Sequence, residues 1–290
     1  MKHAIARPLV LLLACAWIGP ASAESSHLPR VICAGGALTE IVYALGAEDH
    51  LVGVDSTSTW PAATGKLPKI GYFRQLSTEG ALSLRPTLVL ATADAGPAET
   101  LAQLRSAGVR IETLANLYSD TGVVEKIHNV AHALGMPERG TQLAAAVRAQ
   151  LAATQARIAT RTERPRVLFL LGVGGGSPVA AGRGTAAAAM IEMAGASNVF
   201  GSFEGYKPVS GEAIAAADPQ VVLTVEPGKD LAALTQRLLA VPGIAATSAG
   251  RKHRFVTMDG LRLLGFGPRL GDALQELAAH LHDHPPGAAP

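Results

Sequence analysis

At 290 residues, 48% apolar and 17% charged, the chain has a globular composition and length for one large domain or two ordinary ones. A net charge of +2 excludes the broad basic surface that nucleic-acid binding requires. Aromatic residues make up only 4%, so each tyrosine in a polar loop carries weight.

Lys2 and Arg7 precede the apolar run Leu9 to Ile18, and Ala21-Ser22-Ala23 is a small-x-small cleavage site. This is the anatomy of a secretory signal peptide, predicting cleavage after Ala23 and a periplasmic location. The apolar run is shorter than the roughly 20 residues of a membrane span. Leu12-Leu13-Ala14-Cys15 lies too early in that run for a lipoprotein site. Cys15 leaves with this segment, and Cys33, alone in Val31-Ile32-Cys33-Ala34, reads as a small buried hydrophobe.

Arg30 to Ala34 predicts a strand ending at Gly35-Gly36, Leu38 to Leu45 a helix stopped by Gly46, and Leu51 to Val54 a second strand. A polar loop then leads to Gly71-Tyr72-Phe73-Arg74-Gln75-Leu76-Ser77. Glu79 to Leu84 reads as a helix, Leu88 to Ala91 as a strand, Pro97 to Ala107 as a helix and Val109 to Leu114 as a strand. This alternation predicts a parallel sheet covered by helices. Thr121 to Leu134 reads as a helix, and Thr141 to Arg164 contains no Gly or Pro. Leu143, Val147, Leu151 and Ile158 give that stretch helical spacing over about six turns, a stiff connector. A second α/β series follows, with a strand over Arg166 to Leu171, a turn at Gly172 to Gly176 before a helix, and that helix over Thr185 to Ala194.

The two series echo one another. Ser77-x-Glu79 followed by Pro86-x-x-Val89-Leu90 recurs as Ser210-x-Glu212 followed by Pro219-x-x-Val222-Leu223, each copy preceded by a Gly-Tyr pair. The expected architecture is α/β: two Rossmann-like lobes joined by a long backbone α-helix, with a ligand cleft between them. Its boundaries fall at 1–23 (signal peptide), 24–120 (first lobe), 121–164 (helical connector) and 165–290 (second lobe). Clefts between domains are common small-molecule sites.

Tyr72 is the leading candidate for chemistry. A phenol ligates well only when ionised, ferric iron favours the phenolate, and tyrosine is an established axial haem ligand. Arg74, two residues on, would stabilise that anion if the loop is extended. The same pair also reads as an ordinary loop tyrosine beside a surface arginine. Tyr206 in Gly205-Tyr206-Lys207-Pro208 is its counterpart in the second series. Gly35-Gly36 and Gly172 to Gly176 read as tight strand-to-helix turns or as backbone N–H sites for a carboxylate, and neither fits a nucleotide motif. His128 and His132 lack the HExxH context, and His280, His282 and His284 lie in an apparent tail. No nucleophile, base and oxyanion site can be assigned, which argues against an enzyme. Glu40 and Glu192, in matching helices, read either as solvated charge or as acidic knobs that dock a partner.

These motifs together resemble the substrate-binding proteins of bacterial haem ABC importers, within the cobalamin and siderophore binder group. The resemblance is carried by Ala34 to Ile41, Pro68 to Ser77, Ala181 to Thr185, Gly205 to Pro208 and Leu264 to Arg269. It implies a monomeric haem carrier with limited hinge motion that transports haem b. Tyr72 would be the axial ligand of the ferric iron and Arg74 its hydrogen-bond partner. Glu40 and Glu192 would dock a dimeric inner-membrane ABC permease, with an outer-membrane haem receptor acting upstream. Some members stack two haems using a histidine of the second lobe. No counterpart is evident near Gly172 to Pro178, and Glu226 to Lys229 stands where an arginine is expected, so a single haem is the expectation. A ferric siderophore or cobalamin is the alternative cargo.

Overall fold

The computed structural model describes residues 28–173, 177–225 and 230–283. The signal peptide with its cleavage after Ala23, Cys15, Gly174 to Gly176, Glu226 to Lys229 and His284 lie outside the described residues.

In the first lobe, β1 (Val31–Ala34) feeds α1 (Gly36–Ala44), and β2 (Leu51–Val54) follows. A hairpin of β3 (Gly71–Tyr72) and β4 (Gln75–Leu76) leads into α2 (Thr78–Ser83). Then come β5 (Leu88–Thr92), α3 (Ala98–Ser106) and β6 (Arg110–Leu114). Strands β2-β1-β5-β6 form one parallel sheet. β1 is buried at every position, as expected of a strand covered on both faces and written as a continuous apolar run.

Two helices lead out of this lobe, α4 (Asp120–Ala133) and α5 (Pro137–Ala159). α5 has 23 residues, about 34 Å at 1.5 Å per residue. It is shifted from the predicted span of 141–164. Pro137 begins it, because a missing N–H costs nothing in a first turn. Gly140 is admitted inside because α5 crosses α4 closely there: a Cβ would stand 2.4 Å from the Ala131 Cβ. The helix stops at Ala159, one residue past Ile158, its last buried apolar residue, since Arg161 to Arg164 offers no apolar stripe and Arg164 precedes a proline.

The second lobe opens with β7 (Arg166–Leu171), β8 (Val179–Ala181), α6 (Ala186–Met193), β9 (Ser197–Asn198), β10 (Tyr206–Pro208) and α7 (Gly211–Ala217). β11 (Val221–Thr224), α8 (Leu231–Leu239), α9 (Ser248–Arg251), β12 (Phe255–Thr257), α10 (Gly260–Leu264) and α11 (Leu270–His282) complete it. Its sheet runs β10-β8-β7-β11-β12, with β9 also paired to β7. β7, β11 and β12 are mutually parallel, whereas β8 and β10 are antiparallel to their neighbours. The predicted turn after Leu171 therefore enters a strand before it reaches α6. A connection this short cannot make the crossover that a parallel neighbour requires, so the chain folds back.

The internal repeat is a repeated helix start. Ser77 Oγ accepts the Gly80 N–H at 3.0 Å and Ser210 Oγ accepts the Ala213 N–H at 3.2 Å, capping α2 and α7. One buried apolar cluster runs through both lobes and the connector, from Val31 and Leu38 through Ile127 and Val147 to Phe169, Met190 and Leu274. Each lobe adds a smaller cluster of its own.

Candidate functional site

A cavity of about 610 Å³ opens between the lobes, within the range usual for ligand pockets. Gly35 and Gly36 follow β1, Thr57 follows β2, Asp94 follows β5 and Asn116 follows β6, and all of them line it. Leu171 closes β7 and Asp259 follows β12 on the facing side. The cavity thus lies at the carboxyl ends of the parallel strands of both sheets, where open α/β folds bind ligands.

Tyr72, Arg74 and Tyr206 all line this cavity. Tyr72 and Tyr206 are 38% and 39% exposed and Leu171 is 41% exposed, so large apolar surface faces the cleft from both lobes. Arg74 reaches Tyr72 by a route other than local extension. Phe73 and Arg74 form the two-residue turn between β3 and β4, and the turn folds the guanidinium back over its own hairpin. Gly71 makes this possible, having φ +99° and a position where a Cβ would meet the Gln75 carbonyl oxygen at 2.7 Å. Arg74 Nη1 donates to the Tyr72 hydroxyl at 3.1 Å, and its carbon lies 4.8 Å from the Phe73 ring centroid.

Sequence reasoning missed what holds Arg74. Its Nε donates to Asp94 Oδ2 at 3.1 Å, Nη2 donates to the same oxygen, and Asn116 Nδ2 donates to Asp94 Oδ1 at 2.7 Å. Partial burial opposes the Asp94 charge, but the Asn116 and Arg74 bonds prevail and hold its carboxyl below the usual range. Partial burial likewise opposes charge on Arg74, and the Asp94 contact outweighs it, raising its pKa. Tyr118 is a third phenol on the cavity wall, packed edge-on against Phe266 with ring centroids 5.3 Å apart. Burial pushes the hydroxyls of both Tyr118 and Tyr206 upwards. Position after a strand end was the available signal for Asp94, Asn116 and Tyr118.

The glycine turn fits the first of its two readings, a tight strand-to-helix turn, and it lines the cavity. The Gly35 N–H donates to buried Asp55 Oδ1 at 3.2 Å and the Gly36 N–H donates to Thr57 Oγ1 at 3.1 Å. Both donors are thus occupied, so these glycines are wall rather than anion receptor. Gly36 instead permits contact between lobes, since a Cβ there would stand 2.5 Å from Leu261 Cδ1 and 2.7 Å from the Thr57 carbonyl oxygen.

Glu40 is not a knob. It is 6% exposed, and Arg269 of the second lobe binds both its oxygens, Nε donating to Oε2 at 3.1 Å and Nη2 to Oε1. Burial raises the Glu40 pKa even though Arg269 opposes the shift. The helical spacing that made Glu40 look exposed is the spacing that turns it onto the other lobe. Glu192 is exposed on α6, outside the cavity. His128 and His132 are exposed on α4.

The family model described as periplasmic binding protein matches residues 31–260. The chain belongs to this family. An uncharacterised ABC transporter substrate-binding lipoprotein of Bacillus subtilis is 27% identical over 84% of the chain and 77% of its own length. The vitamin B12-binding protein of Vibrio vulnificus is 34% identical over 90 residues, about a third of either protein. Among solved structures, the periplasmic haem-binding protein RhuT of Roseiflexus sp. RS-1 superposes with a TM-score of 0.84 at 44% identity, covering 89% of this chain and 99% of that one. BhuT in complex with two haems gives a TM-score of 0.83 at 46% identity, covering 88% and 98%. HutB of Vibrio cholerae gives 0.78 at 34%, covering 88% and 100%. The two-lobed fold of a periplasmic binding protein is thereby established for this chain.

Proposed function

We propose that this periplasmic binding protein captures ferric haem in the interlobe cleft and delivers it to an inner-membrane ABC permease. One observation carries the choice of ligand: an exposed phenol at the cleft, Tyr72, receives a 3.1 Å hydrogen bond from a guanidinium that Asp94 and Asn116 lock in place. Ferric iron displaces the phenol proton on binding, and the guanidinium stabilises the phenolate that forms. The apolar faces of Phe73, Leu171 and Tyr206 suit a flat macrocycle. Likeness to RhuT, BhuT and HutB supports the same reading. Export by the signal peptide, with cleavage after Ala23, places the carrier between the membranes.

The lobe tips supply the docking contacts in this reading. With Glu40 buried, the exposed acids related by the internal repeat are Glu79 and Glu212, in the first turns of α2 and α7. Each helix follows directly on the hairpin or strand that carries a cavity tyrosine, so both acids flank the cleft.

The test is a visible-absorption titration of purified protein with haemin, beside Tyr72→Phe. The expected result is a saturable high-spin ferric spectrum with a tyrosinate charge-transfer band, lost in the variant, and its end-point counts the haems. Parallel titrations with cobalamin and a ferric siderophore address the relatedness to the vitamin B12-binding protein. Saturation by one of these and not by haemin overturns the haem assignment.

A further inference from the structure

The cavity wall contains a cation that the Tyr72 chemistry does not use. Lys126, on α4, is 5% exposed and lines the cleft. Its Nζ donates to the Phe266 carbonyl at 3.1 Å and approaches the Gly265 carbonyl at 3.5 Å, both in the segment between α10 and α11 of the second lobe. An ammonium has three N–H donors, so at least one is left for the cavity.

Among the described residues, the hydrogen-bond partners of this ammonium are carbonyls and no carboxylate pairs with it. Among the described residues lining the cavity, the carboxylates are Asp94 and Asp259. Asp94 is engaged by Arg74 and Asn116, and Asp259 Oδ1 accepts the Arg262 N–H to cap α10. Around Lys126, α4 buries Val123, Ile127 and Val130, and burial alone pushes the lysine down to about 8. A buried cation held only by carbonyl dipoles is costly unless an anion joins it. A strut between a helix and two carbonyls does not need a charge, because a neutral amide donates as well.

We propose that Lys126 is a ligand-contacting residue that takes an anionic carboxylate of the cargo at the inner wall of the cleft. The inference rests on the haem reading, since haem carries two carboxylates on one edge of a flat macrocycle. Arg74, its charge already answered by Asp94, then serves the axial tyrosine, and Lys126 serves the carboxylate edge. The two cations divide the ligand between them and fix which way round it enters.

The experiment titrates wild type, Lys126→Gln and Lys126→Met with haemin and with haemin dimethyl ester, whose carboxylates are masked. Glutamine keeps a donor for the Phe266 carbonyl, so it separates charge from bracing. Wild type is expected to prefer haemin over the ester by about tenfold or more, the range of a charge-assisted hydrogen bond. Both variants should lose that preference by weakening on haemin alone, while keeping the tyrosinate band and the ester affinity of wild type. Equal weakening on both porphyrins, or an undiminished preference for haemin, overturns the role of Lys126 while leaving the haem reading intact. If wild type saturates with neither porphyrin, both readings fall together.

Discussion

Lys126 has a measurable cost in the unliganded protein. Its pKa drops from 10.5 to about 8 on folding, a gap that at about 1.4 kcal/mol per unit amounts to about 3 kcal/mol. The folded value is depressed for a base, so the unfolded chain binds the proton more tightly between those two values. The penalty is therefore in full force below about pH 8 and fades as the pH rises towards 10.5. Between about pH 7 and about pH 9.5 wild type should recover about 2 kcal/mol relative to Lys126→Met, which has no proton to lose. Urea unfolding of both apo-proteins at the two pH values measures this as a double difference. Cys33, whose thiol burial pushes up to about 12, is common to both proteins and cancels. A stability difference that stays constant across that range would refute the buried charge.

Three further outcomes are expected. Arg269→Ala strands the buried Glu40 carboxylate and should destabilise by about 3 kcal/mol in urea unfolding, with the double change Glu40→Gln/Arg269→Leu recovering most of it. Because the Glu40 pKa is already raised, the folded state holds that proton more tightly, and the single variant should regain stability as the pH falls. Asp94→Asn frees the Arg74 guanidinium and should weaken haemin binding about tenfold at neutral pH, with an altered tyrosinate band. In wild type the Asp94 pKa is depressed, so its bond persists above the ordinary 3.8 and should fail only as acid takes the solution below it, which an acid titration of the band reads. Reversing Glu79 and Glu212 to lysine together should abolish stimulation of the permease ATPase while haemin titrations stay unchanged.

Periodicity revealed the elements because most are amphipathic or wholly buried, and the Ser-x-Glu repeat showed that the chain holds two related halves. β8 and β10 escaped notice because they are three residues each, too short for any alternation to register. The ends of α5 were misjudged for opposite reasons. Pro137 and Gly140 look like breakers but suit a first turn and a close crossing, and the charged run before Pro165 looked helical yet is exposed throughout and buries no apolar face. Tyr72 and Arg74 were legible because they are neighbours in one loop. Asp94, Asn116, Tyr118 and Lys126 were not, since 20 to 52 residues separate them from Arg74 and only the folded lobe brings the strand ends and α4 to one cleft. Glu40 shows the limit of helical spacing: it tells which residues share a face, not whether that face meets water or another lobe.

The apolar cluster that passes from one lobe through α5 into the other bears on the kinetics of carriage. A cleft whose halves share one core has little room to clamp shut, so capture needs no slow isomerisation and can run at the rate of productive collision. On the haem reading proposed above, residence time then rests on the iron–phenolate bond and the side chains around it. On the same reading, unloading is mechanical work done from outside, by a transporter that shears the walls far enough to break that bond.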